Sequence, residues 1–200
     1  MRFRSTILLP LCLGLAISTA PASAEKREAG RGFTLTKDGT LIHKASHTQF
    51  PLVLAGFNRV RANALDAKGH DIAISYSQKI GGTPVVARVA LIHMEGLTAK
   101  EHVLGLRPAI AANFADLKLR DVRPQGEGPI ELEGMKPGSA YQARLHARVG
   151  RTPYEVSLTA VNFGYWDTRL TAAYPKAVAT QSQARITELV TALRKTGPKH

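Results

Sequence analysis

The chain has 200 residues, 27 lysines and arginines against 15 aspartates and glutamates, and a formal net charge of +12. This length suits one domain, and the single cysteine, Cys12, excludes a disulfide framework, a cysteine-ligated zinc and an iron–sulfur cluster. Aromatic residues are sparse and no nucleic-acid-reading module is visible, which argues against specific nucleic-acid recognition.

The amino terminus reads as an export signal. Arg2 and Arg4 form a basic start, residues Ile7 to Ile17 are apolar, and Ala22-Ser23-Ala24 supplies the small residues a signal peptidase requires. The run is shorter than the about 20 apolar residues of a membrane span. Leu9-Pro10-Leu11 is too bulky for lipid attachment at Cys12. Residues 1–24 are therefore expected to be cleaved and the protein to be periplasmic or secreted. The 176 residues left would carry no cysteine, a charge of +10 after the loss of Arg2 and Arg4, and no transmembrane segment.

Residues 25–32 form a charged, glycine-containing leader, expected to be flexible, and residues 33–200 a single domain. Phe33 to Thr36 and Thr40 to His43 flank Lys37-Asp38-Gly39, the turn chemistry of a hairpin, and Phe50 to Phe57 is expected to enter the next strand. In Arg59 to Leu65, Val60, Ala62 and Ala64 alternate with polar residues. Beyond the Asp66 to Gly69 turn, Ile72, Ile74 and Tyr76 do the same. Gly81-Gly82-Thr83-Pro84 is a turn, and Val85 to Ile92 is so continuously apolar that it is expected at the sheet centre.

Thr98 and Glu101 have the spacing of a capping box, so a helix is expected from Thr98, with Val103, Leu106, Ile110, Phe114 and Leu117 at helical spacing and Pro108 dividing it. Pro124 to Gly138 is rich in glycine, proline and acid, with a short strand expected at Pro129 to Leu132. Tyr141, Ala143, Leu145, Ala147 and Val149 then alternate with Gln142, Arg144, His146 and Arg148. Tyr154 to Val161 and Trp166 to Tyr174 continue an antiparallel meander. Ile186, Leu189, Val190 and Leu193 define one face of a helix starting near Thr180 and stopped by Gly197-Pro198. The fold class expected is α+β: an antiparallel β-sheet with a mid-chain helix and a C-terminal amphipathic helix packed on it.

Phe50-Pro51, Gly56-Phe57-Asn58-Arg59, the Asp66 to Tyr76 hairpin and the Trp166 to Tyr174 strand with its C-terminal helix resemble an uncharacterised family of exported proteobacterial proteins. The fold of that family is similar to that of PsbP, the lumenal accessory protein of photosystem II. The resemblance spans roughly Phe33 to Lys195 in order of elements and implies a non-enzymatic module that binds or assists other proteins. It transfers no functional residue.

The chemical signatures are absent from the sequence: no Gly-x-Ser-x-Gly elbow, no phosphate loop and no His-Glu-x-x-His pair. His43 and His47 lie four apart on non-helical chain, and His93 and Glu95 could approach Glu101 and His102 without a third placed ligand. Glu127, Glu131 and Glu133 read as the charges of an edge strand. No metal or cofactor is expected. Two clusters are candidates for binding: Arg144, His146 and Arg148 on one strand face, and Tyr165, Trp166 and Arg169 at the start of another. Against them stand a solvated face and a core tryptophan, respectively. The function expected is a binding or assembly accessory for a protein partner or an anionic envelope component. The alternatives are an envelope enzyme with an unrecognised histidine or carboxylate site and a basic stress protein adhering to anionic polymers.

Overall fold

The computed structural model describes residues 32–198. The expected signal peptide, and the expected leader apart from Gly32, lie outside the described residues. Strands β1 (Phe33–Leu35), β2 (Leu41–His43) and β3 (Gln49–Phe50) form a small antiparallel sheet. Its first turn follows the sequence: Gly39 takes φ +80°, and the Asp38 carboxylate accepts hydrogen bonds from the Thr36 and Thr40 hydroxyls. These bonds, that from Thr36 foremost, hold the carboxyl below its ordinary pKa.

The stretch expected to be one strand from Phe50 to Phe57 is divided. Pro51 offers no donor where β3 ends, and Ala55 and Gly56, at φ +50° and +79°, make a two-residue turn joining β4 (Val53–Leu54) to β5 (Phe57–Ala64). The chain thereby leaves the small sheet for a large one.

That second sheet adds β6 (Asp71–Ile80), β7 (Thr83–His93), β8 (Arg120–Pro129), β9 (Ala140–Val149), β10 (Thr152–Asn162) and β11 (Trp166–Pro175). Its order is β4-β5-β6-β7-β11-β10-β9-β8, and every pairing is antiparallel. The apolar β7 lies centrally, as its composition requires, and pairs with β11, Ala90 opposite Arg169. Gly81 and Gly82, both at positive φ, close the β6–β7 hairpin.

Two strand expectations need correction. In β5, Val60 is the extra residue of a bulge between Arg59 and Arg61, so it faces solvent while Phe57, Arg59 and Ala62 are buried. The segment with a short strand expected at Pro129 to Leu132 instead carries the ten-residue β8, which ends at Pro129. As an edge strand with two register shifts, β8 is exposed along most of its length, and so lacks the apolar alternation that marks a strand in sequence.

Each face of the sheet supports its own core. On one, Ile72, Ile74, Tyr76, Val89, Leu170 and Tyr174 pack with the small sheet and with Ile186, Leu189, Val190 and Leu193 of α3 (Ala179–Thr196). On the other, Tyr141, Leu145, Val156 and Leu158 pack under Val103 of α1 (Ala99–Leu106) and Ile110 of α2 (Ile110–Asn113). The capping box on Thr98 is formed in both directions, and Pro108 stands in the 3₁₀ turn that separates α1 from α2. The fold class is α+β with antiparallel sheets and helices mid-chain and at the C-terminal end. Among the described residues no helix is long and apolar enough to cross a membrane.

Candidate functional site

The face that carries Arg144, His146 and Arg148 acquires two more cations from a strand the sequence concealed. In the β8–β9 ladder, Arg120 stands opposite Arg148 and Arg123 opposite His146, and directly paired residues share a sheet face. Tyr141, Ala143, Leu145 and Ala147 turn the other way, into the core under α1. The outcome is a surface of Arg120, Arg123, Arg144 and Arg148, all exposed, with His146 half-buried among them.

Two carboxylates belong to β8 itself, Asp121, exposed in the irregularity between Arg120 and Arg123, and Glu127. Glu155 of β10, buried opposite His146, is the carboxylate in register with the stripe. Burial pushes the Tyr174 phenol upward, Glu155 adds to the rise, and Arg144 partly offsets it, which places all three within electrostatic reach. Glu127 stands opposite Ala143 and pairs with Arg107 at 2.7 Å. Its charge is thus spent on the helical side of the edge strand. A surface of arginines presents forked donors suited to carboxylate or phosphate groups, whereas a like-charged face that remains unpaired gains nothing from self-association.

The second cluster is separated by the pleat. Trp166 and Arg169, three apart on one strand, point to opposite faces of the sheet, and Tyr165 is an exposed residue in the preceding turn. Trp166 packs edge-on against His43 at 5.2 Å and His93 at 5.0 Å between ring centroids, with His70 also within 6.4 Å. Arg169 lies on the other side near Asp71, and its pKa is lowered by burial, which the Asp71 charge partly offsets. No local pattern marks His70 for this group, because its neighbourhood depends on the β6–β7–β11 register.

Nε2 of buried His43 donates to the Gly69 carbonyl at 2.7 Å, and the Ser46 hydroxyl donates to its Nδ1, also at 2.7 Å. His47 is exposed at φ +57°. His102 of α1 and Asp167 of β11, both buried, meet at 2.9 Å and tie the helix to the sheet. Glu131 and Glu133 lie in the loop after β8. Among the described residues no three histidine, cysteine, aspartate or glutamate side chains are placed to hold one metal ion.

Comparison with known proteins returns no matching family model and no matching curated protein. Among solved structures the chain is similar to the Saccharomyces cerevisiae Ran-binding protein Mog1p, at 12% identity and a TM-score of 0.41, with 82% of this chain and 90% of that chain covered. That similarity is too slight to carry an inference about function.

Proposed function

We propose that the protein is an exported, non-enzymatic accessory module that docks an acidic protein partner through the arginine face of β8 and β9. The observation that carries this reading is the ladder register, which sets Arg120 and Arg123 beside Arg144, His146 and Arg148. Export rests on the basic start, apolar run and Ala22-Ser23-Ala24 pattern of the sequence, and the PsbP-like resemblance points toward the same accessory class. Arginine is the suitable residue because its planar fork takes carboxylates bidentately. Charge steering by such a face accelerates encounter and makes binding fall with ionic strength.

The test is photocrosslinking in the native compartment from positions 123 and 148, compared with exposed Val53 at the far end of the sheet. A saturable adduct with one acidic protein is expected from the first two positions. Arg144→Glu with Arg148→Glu should weaken that complex by about tenfold or more. The captured chain should begin at Glu25. Equal labelling from Val53, non-saturable adhesion to envelope polymers, or binding indifferent to the charge reversal would each overturn the proposal.

A further inference from the structure

A cleft of about 490 Å³ opens where the β8–β9 loop, the β10–β11 turn and the end of α3 converge. We propose that it binds a small organic anion, with the charged head on Arg194 and Lys136 and the apolar body against Phe163 and Met135. Among the described residues neither cation's side chain makes a hydrogen bond or ion pair, and none of those lining the cleft is a carboxylate. Arg194 is half-buried, so its charge is partly withdrawn from water without a counterion.

The walls fit such a ligand. Gly134, at φ +73°, lies against the Arg194 guanidinium so closely that a Cβ there would collide with Nη2. The loop backbone thus comes up against the guanidinium at a position whose left-handed conformation itself disfavours a side chain. Phe163 is fixed on its other side by Gly197, where an added Cβ would stand 2.9 Å from the ring. Phe163 and Met135 both pack on the core beneath α3, giving the cleft an apolar floor, and Ser139 contributes a hydroxyl to its lining. The lining sets the apolar Met135, Phe163 and Pro198 beside the polar Lys136, Ser139, Asn162 and Arg194, and a small-molecule site uses both, apolar surface for affinity and placed polar groups for orientation. A carboxylate suits the head because the two cations offer donors and no acceptor, and a hydroxyl can turn its own donor to the same group.

Benzoate is the probe, with benzamide as its uncharged counterpart, and the readout is backbone amide shifts of the full-length mature chain. Benzoate should shift the amides of Met135, Lys136, Ser139 and Gly164, and benzamide should do so at least about tenfold more weakly. Arg194→Gln should weaken benzoate binding by about tenfold or more, whereas Arg185→Gln, on the same helix and paired with Glu188, should leave it unchanged. Thermal midpoints of both variants establish that each is folded. Equal binding of the two probes, equal effects of the two variants, or no shift at ~50 mM benzoate would overturn the assignment. The cleft shares no lining residue with the arginine face, and the partner-capture experiment can fail without touching it.

Discussion

His43 shows how one side chain can join two sheets and set a pH limit on them. The Gly69 carbonyl only accepts, so Nε2 carries the proton and Nδ1 takes the Ser46 hydroxyl, which is itself 2.7 Å from Thr48 Oγ1. Burial lowers the imidazole pKa first. The hydrogen bond to Gly69 opposes this, the nearby His70 and His47 add to it, and the Asp66 charge opposes it. The unfolded chain therefore takes up a proton more readily than the folded one. Stability from this group is fully present above the ordinary value of 6.5 and is lost as the pH falls through the lower folded value. Urea midpoints measured between about pH 8 and pH 5 should fall with acidity, and His43→Leu should flatten that fall while lowering stability at the alkaline end.

Among elements, α1 offers the cleanest local test. Thr98 Oγ1 accepts the Glu101 amide at 3.2 Å, and the Glu101 carboxylate accepts the Thr98 amide at 2.8 Å. Thr98→Ala removes half of this exchange and should cost about 1 kcal/mol in chemical denaturation. This cap was legible because its residues are three apart in sequence. Strand β9 was equally legible, since burial on one face writes a two-residue period into the chain. Strand β8 was not, because an edge strand packs on one neighbour and needs no apolar alternation. Half of the arginine face was lost with it: Arg120 and Arg123 join the stripe only through a ladder whose shifts at Arg120/Arg123 and Pro124/Gly126 no local pattern encodes. The β5 bulge similarly buried Arg59 in place of Val60, and Arg59 then donates to the Phe50 and Gly39 carbonyls, binding the small sheet to the large one. The anion cleft left no trace in the sequence, since Lys136, Phe163 and Arg194 meet only through the fold.

The whole molecule places two cores on opposite faces of a single sheet, so α1 and α3 depend on each other through strands that both of them cover. Leu189 is fully buried at the centre of the α3 contact. Leu189→Ala should therefore cost about 2–5 kcal/mol in one cooperative transition, with circular dichroism and Trp166 fluorescence reporting the same midpoint.

Pairing in this sheet also follows chain order everywhere except between β7 and β11. Strands β4 to β7 and β8 to β11 are each a meander assembled through successive neighbours, and the central ladder is the weld between them. Forming that weld requires closing the chain from His93 round to Trp166, an entropic cost that grows only logarithmically with the intervening length. The protein is thus divisible in principle at Glu95-Gly96, where a break would interrupt no strand. The first piece would present the edge of β7, the second the edge of β11 with all three helices attached, and each would be the template that completes the other.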